Sequence, residues 1–339
     1  MPEPTPVTSQ DSSLSLTLRA LRPWLDDPSL TEICINRPGE AYVERSTGWE
    51  CVSLPFADYE WCVRLAKLVA NSTRQKIDSI TPVLSATLPT GERTQVVLPP
   101  ATTEQTVAIT IRRPASQVWT LAGLEARGVF TRTTVGSNRQ SAEDLRLAEL
   151  LQAQNYPEFL RVAVRARKNI LVSGPTGSGK TTCTKALILE IPSHERLITI
   201  EDTRELVLDN HPNHVRLYYS KDGQGQARVS PKQLLESCLR MKPDRVLLAE
   251  LRAEEAFYYL RNVNSGHPGS ITSLHASSCQ LAFEQLVLLI KECPAGRELS
   301  RADIQQMLRL LVDVILQFAV NGAERYIKEI WFRPVNEPL

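Results

Sequence analysis

Residues 174–182 read GPTGSGKTT and follow directly on the apolar run NILVS at 169–173, with a helix-like run after them. Gly174, Gly179, Lys180 and Thr181 fit the spacing G-x-x-x-x-G-K-[ST]. In that spacing the glycines let backbone N–H groups curl around phosphates without Cβ clashes. The helix that follows points its positive N-terminus at the same anion. Lys180 then reaches the β- and γ-phosphates of a nucleotide, and the Thr181 hydroxyl ligates Mg²⁺. Pro175, Thr176, Gly177, Ser178 and Thr182 complete the lining of this candidate cradle, and ATP and Mg²⁺ are the expected cofactors. A chance glycine-rich turn would not need a strand before it and a helix after it, and both are present.

The rest of the chain is read outward from this loop. From Glu149 onward, NILVS, LITIE (197–201), RVLLAEL (245–251) and SITSL (270–274) alternate with helix-like runs. Such alternation implies a parallel sheet covered by helices on both faces. Near the end, VDVILQFAV and RYIKEIWF flank Asn321 and Gly322, a strong hairpin signal. The leucine stripe from Leu308 to Leu316 reads as a packed helix and strand rather than a lipid-binding face. Gly223 and Gly225 read as a flexible loop, because no Lys-Ser or Lys-Thr pair follows them.

Upstream, leucines at 14, 18, 21 and 25 recur as one face of an amphipathic helix. Residues 31–54 alternate apolar and polar around the RPGE and STG turns, which predicts an antiparallel meander. Residues 58–71 place Trp61, Leu65, Leu68 and Val69 on one helical face, and 83–112 return to strand character around LPTGE. The expected organisation is a flexible arm at 1–13, an N-terminal α+β domain at 14–128, a linker at 129–148 and an α/β domain at 149–339. The arm is rich in Pro, Ser, Thr and Gln. The linker contains the polar run TRTTVGSNRQSAED, which has no apolar periodicity. Trp24, Trp49 and Trp61 are expected in cores.

A chain of 339 residues with 42% hydrophobic content can bury two substantial cores. With 39 basic and 38 acidic side chains the net charge is +1, which gives no global electrostatic case for wrapping nucleic acid or coating an anionic membrane. Nucleic acid is therefore not the expected direct substrate. The apolar window Leu308–Ile315 is interrupted by Arg309 and Asp313, whereas a spanning helix needs roughly 20 mostly apolar residues. The start MPEPTPVTSQDSS has neither the basic region nor the apolar stretch of a secretory signal, so a cytoplasmic location is expected. Seven cysteines without a C-x-x-C pair read as reduced structural thiols.

A phosphate cradle needs an acidic partner on a neighbouring strand to order Mg²⁺ and the attacking water. Two apolar strands end in carboxylates: ITIEDTREL presents Glu201 and Asp202, and DRVLLAELRAEEAF presents Glu250, with Arg252 two residues on. Ligands collect at the carboxyl ends of parallel strands, so both tips are candidates.

In this order and spacing, GPTGSGKTT, ITIEDTREL, LRMKPDRVLLAELRAEEAF and NSGHPGSITSLHA resemble the secretion-ATPase superfamily, which drives type II secretion, type IV pili and type IV secretion. TLPTGERTQVVLPP and TIRRP are similar to the region before the motor in the type IV secretion and conjugation branch. The resemblance implies a RecA-like P-loop ATPase domain with a mainly parallel sheet. It also implies a homo-hexameric ring working with inner-membrane secretion-machine components at the membrane's cytoplasmic face. Leu14–Leu25 is the candidate for peripheral membrane contact. Carried residue by residue, the Asp box gives Glu201, the Walker B equivalent gives Glu250 and the His box gives His275. The family usually has Gly before the Walker B glutamate, and here Ala249 stands there. Glu250 is expected to serve the water and, through water, the metal; whether it or Glu201 is the general base stays open. His275 is read as a sensor of phosphate state, against the alternative of a hydrogen-bonded structural group. The family places N-terminal-domain arginines on the outer phosphates, and Arg112 and Arg113 match by position; they also read as solvated strand-end charges. Arg240 and Arg252 are secondary candidates for that contact. The implied activity is a mechanochemical ATPase, with a nucleotide-dependent scaffold and a nucleic-acid motor as alternatives.

Overall fold

The computed structural model describes residues 12–114, 118–134, 141–220 and 225–336. Residues 1–11 of the expected flexible arm and Gly223 lie outside the described residues, as does part of the linker, while Ser12 and Ser13 at the arm's end start the first helix.

The N-terminal segment opens with helix α1 (Ser13–Leu18), a 3₁₀ turn (Arg19–Leu21) and α2 (Arg22–Leu25). Leu14, Leu18, Leu21 and Leu25 do share one face, and that face lies in the domain core at no more than 4% exposure. It is not available to a membrane, which corrects the peripheral-contact expectation. Strands β1 (Glu32–Arg37), β2 (Gly39–Arg45) and β3 (Gly48–Leu54) form the expected meander. Helix α3 (Tyr59–Ser72) follows, started by Asp58, whose side chain accepts from Trp61 N. Strands β4 (Val83–Thr87), β5 (Arg93–Val97) and β6 (Ala108–Arg112) complete a six-stranded antiparallel sheet in the order β3-β2-β1-β6-β5-β4.

Ile33 and Ile35 of β1 and Ile109 and Ile111 of β6 point into the core under α1 and α3. Their neighbours on the other face, Glu32, Cys34, Asn36 and Thr110, are buried as well. A half-buried strand would leave them in water; here the second domain covers part of that face. Asn36 donates to Asn213 Oδ1 at 3.0 Å, Gln95 to Ser237 Oγ at 3.3 Å, and Thr102 Oγ1 to the Arg216 carbonyl at 2.9 Å. Val97 and Ala108 belong to the apolar cluster of the second domain. Trp61 is buried and Trp24 packs against the same core. Trp49 is half-buried, with the Arg196 guanidinium 5.6 Å from its ring centre.

Helix α4 (Leu121–Ala126) buries no residue. Helix α5 (Ala142–Gln152) begins inside the stretch read as linker, so residues 142–148 are helical. The polar residues that looked like linker are its cap: Ser141 Oγ accepts from Asp144 N, Ser141 N donates to the Asp144 carboxylate, and Leu147 is fully buried.

The second domain continues with α6 (Tyr156–Arg165), β7 (Ile170–Ser173), α7 (Lys180–Leu189), β8 (Leu197–Glu201), β9 (His214–Tyr218) and α8 (Pro231–Cys238). It then runs through β10 (Arg245–Leu248), α9 (Glu255–Asn264), β11 (Ile271–Leu274), α10 (Cys279–Glu292), α11 (Pro294–Arg297), α12 (Arg301–Leu311), β12 (Val314–Asn321), β13 (Glu324–Phe332) and α13 (Arg333–Asn336). Strands β10-β8-β9 are parallel; β11-β7-β12 are parallel, and β13 adds antiparallel. The two ladders meet between β10 and β11, where Ser270 Oγ donates to the Val246 carbonyl at 2.8 Å and Ser273 Oγ to the Ala249 carbonyl at 2.9 Å. All strands but β13 therefore run the same way, and their carboxyl ends form one edge. β9 (HVRLY) is a strand that the apolar-run reading passed over. No described helix is long and apolar enough to cross a membrane.

Candidate functional site

The cradle leaves the carboxyl end of β7 and feeds α7. Gly174, with φ +154°, has no room for a side chain: a Cβ there would stand 2.7 Å from Phe318 Cβ and 2.9 Å from Ser178 Oγ. Gly179 is the left-handed N-cap of α7, with φ +95°. Ser178 Oγ donates to the Pro175 carbonyl at 2.8 Å and closes the loop, while Pro175, Thr176 and Gly177 face outward. Thr181 and Thr182 are exposed in the first turn of α7. The exposed N–H groups of a helix start, a backbone without Cβ at its closest approach and a hydroxyl beside it fit a nucleotide's phosphates and their Mg²⁺.

Lys180 is buried across this loop. Its Nζ donates to the Gly174 and Pro175 carbonyls at 2.9 Å each and stands 3.4 Å from His275 Nδ1. Burial lowers its pKa from the usual lysine value; the Glu250 carboxylate opposes that shift and Arg252 adds to it. His275, just past β11, has its Nε2 2.9 Å from Glu250 Oε1. Glu250, just past β10, is paired through Oε2 with Arg252, which also reaches Asp202 Oδ2 at 3.2 Å. Glu250 Oε1 is buried with no hydrogen bond aligned on it. Four elements of the second domain thus converge, and the structure brings the cradle, Lys180, Glu250 and His275 together.

Glu201 does not join them. Its side chain is fully buried: Oε1 accepts from Thr199 Oγ1 at 2.7 Å and faces Arg216 at 3.5 Å, while Oε2 accepts from the backbone N–H groups of Glu205 and Leu206 at 2.8 and 2.9 Å. Both oxygens are committed to holding the loop after β8, turned away from the group formed by Lys180, Glu250 and His275. The next residue, Asp202, takes the outward position.

Arg112 and Arg113 do not reach the cradle of their own chain either. Arg112 pairs with Glu32 at 3.4 Å, and Arg113 donates to the Asp27 carbonyl and, at 3.3 Å, to that of Leu30. With Arg93 and Lys242 they rim a groove of roughly 630 Å³. Lys242 lies three residues before the start of β10, so this groove opens by the amino ends of the parallel strands, opposite the cradle. The reason is the direction of β6, which carries TIRRP away from the nucleotide edge.

Two contributors carry no motif. Arg325 on β13 donates to the Gly177 carbonyl at 2.8 Å, and Arg216 on β9 braces Glu201 and the Leu206 carbonyl. Only the hairpin signal at Asn321-Gly322 pointed toward the first.

A glycine cradle on the carboxyl edge of a parallel sheet, with its lysine facing a glutamate on the next ladder, defines a P-loop nucleotide-binding protein. Within that class the chain belongs to the type II/IV secretion system protein family, which matches residues 18–316. It is 45% identical over 341 residues to the type IV secretion system protein VirB11 of Bartonella quintana, covering 96% of each chain. It is 41% identical over 324 residues to VirB11 of Agrobacterium tumefaciens, covering 95% of this chain and 94% of that one. Among solved structures, the VirB11 ATPase from the Brucella suis type IV secretion system, in complex with sulphate, superposes with a TM-score of 0.90 at 45% identity, covering 95% of this chain and 98% of that one.

Proposed function

We propose that this chain is an ATP-hydrolysing motor that powers the assembly of, or transport through, a bacterial type IV secretion or conjugation machine. The observation that carries the reading is the pairing of a built phosphate cradle with Glu250, whose buried Oε1 lies 2.9 Å from His275 Nε2 and on the Lys180 side of the site. Lys180 binds the outer phosphates, and Glu250 orients and deprotonates the attacking water. Thr181, and Glu250 through water, are the residues to hold Mg²⁺, which supplies charge neutralisation on the phosphates when bound. His275 touches both Lys180 and Glu250, a position suited to registering whether the phosphate is present.

The reading includes a homo-hexamer associated with inner-membrane machine components at the cytoplasmic face. In such a ring the groove of Arg93, Arg112 and Arg113, on the opposite edge of the sheet from the chain's own cradle, serves the nucleotide of a neighbouring subunit. A planar guanidinium pairs two phosphate oxygens at once, as an outer-phosphate contact needs.

The test is phosphate release from Mg·ATP at several protein concentrations, with light scattering in parallel. The expected result is a rate that rises with ring formation and vanishes in Lys180→Ala and Glu250→Gln. A ring that binds nucleotide without turnover would replace the motor with a scaffold. Mixing Lys180→Ala chains with Arg112→Ala/Arg113→Ala chains should restore part of the activity, because some interfaces then combine an intact cradle with an intact groove. Mixtures no more active than either variant would place each site within one chain.

A further inference from the structure

Arg252 lies in the short connection between β10 and α9, and its backbone is held on every side. Ala249 N donates to the Ile200 carbonyl at 3.2 Å and Leu251 N to the Ser273 carbonyl at 2.8 Å. The buried Glu255 carboxylate accepts from the N–H groups of both Arg252 and Ala253. From this anchored position the guanidinium forks between two carboxylates on different strands: Glu250 at the tip of β10 and Asp202 just beyond β8. The two carboxylates raise the Arg252 pKa above the usual arginine value.

The geometry has a consequence for Glu250. Arg252 engages Oε2 alone, so the other oxygen, Oε1, is turned to His275 and through it to Lys180. A glutamate has several rotatable bonds and no intrinsic reason to keep one oxygen toward the phosphates. The fork supplies that reason, and Asp202 holds the fork from behind. Resting on the motor reading above, we propose that Arg252 is a positioning residue which, braced by Asp202, aims Glu250 Oε1 at the attacking water and does not itself contact the nucleotide. Lysine cannot replace it fully: an ammonium is a point charge, whereas the planar fork spans two carboxylates in fixed directions.

The experiment measures kcat, KM for ATP and the Kd of a fluorescent ATP analogue for the full-length chain carrying Arg252→Gln, Arg252→Lys, Asp202→Asn and the double variant Arg252→Gln/Asp202→Asn. Thermal melting of each accompanies the kinetics. In Arg252→Gln, kcat should fall on the order of 100-fold, the cost of misplacing a reacting group by about 1 Å, with KM and Kd unchanged. Arg252→Lys should recover part of the loss. Asp202→Asn should lose less, and the double variant should be no slower than Arg252→Gln alone, because both act through one fork. Should Arg252→Gln not fold, the Arg252→Lys and Asp202→Asn variants carry the same comparison. An unchanged kcat, a loss that appears in KM and Kd, or losses that multiply in the double variant each overturn the proposal. A wild-type chain that binds the analogue without turnover overturns the motor reading instead, so the two failures are distinct.

Discussion

Arg325, on the strand β13 that closes the sheet, donates to the carbonyl of Gly177 in the phosphate-binding loop at 2.8 Å. The two residues are 148 positions apart in sequence. The terminal hairpin therefore does more than cover an edge: it steadies the outward-facing turn of the cradle. Replacing Arg325 by Ala removes its hydrogen bond to the cradle, at an exposed position and worth about 0.5–1.5 kcal/mol. Nucleotide affinity should weaken by roughly 2–10-fold with kcat little changed, as titration with a fluorescent nucleotide would measure.

Gly174→Ala should be far more damaging. The added methyl would meet Phe318 Cβ at 2.7 Å and the Phe318 carbonyl at 3.1 Å, on a backbone at φ +154°. Overpacking of this kind costs about 1–3 kcal/mol. The cradle should shift, with a lower melting temperature and nucleotide binding weakened at least tenfold in equilibrium titration.

The domain junction offers a separate target. Arg196 is fully buried, and its NH1 donates to Asn36 Oδ1 at 2.7 Å and Asn213 Oδ1 at 2.5 Å, with Nε on the Met241 carbonyl at 3.0 Å. Asn36→Ala leaves part of a buried guanidinium without its acceptor and should cost about 1–3 kcal/mol. Urea denaturation should show the loss, while the cradle's affinity for nucleotide stays the same because Asn36 contacts Arg196 and Asn213 at the amino ends of β8 and β9, away from the cradle.

Stability should also fall in mild acid through His214. Burial lowers its pKa from 6.5 to about 4, against the hydrogen bond from Nδ1 to the His211 carbonyl and with Arg216 and Arg37 adding to the depression. The unfolded chain takes up this proton near pH 6.5 and the folded chain only near 4. The neutral ring's contribution is thus complete above about 6.5 and is lost as pH falls toward 4. Glu32 runs the other way, its carboxyl raised by burial from 4.5 to about 7, so its burial opposes folding increasingly as pH rises from 4.5 to 7. Urea unfolding of His214→Gln and wild type at pH 7 and pH 5 should show a smaller acid loss in the variant; equal losses would remove His214 as the cause.

The sequence by itself was enough for the parts that depend on local chemistry. The spacing of Gly174, Gly179, Lys180 and Thr181 can make one kind of loop, and the apolar runs around it can make one kind of sheet. Leu14, Leu18, Leu21 and Leu25 announced their helical face, and Asn321-Gly322 announced the hairpin. Strand tips at Glu201 and Glu250 were equally legible, because each ends an apolar run. Tertiary structure decided which tip points where: the loop after β8 turns the Glu201 carboxylate inward to cap its own backbone, and the Arg252 fork leaves an oxygen of Glu250 facing His275. It also decided that the leucine face meets a protein core rather than a membrane, that Ser141 and Asp144 start a helix rather than extend a linker, and that Arg112 and Arg113 stand opposite their own cradle. A motif records which groups a stretch of chain can offer. Where they point depends on the packing of strands distant in sequence, and no local pattern contains that information.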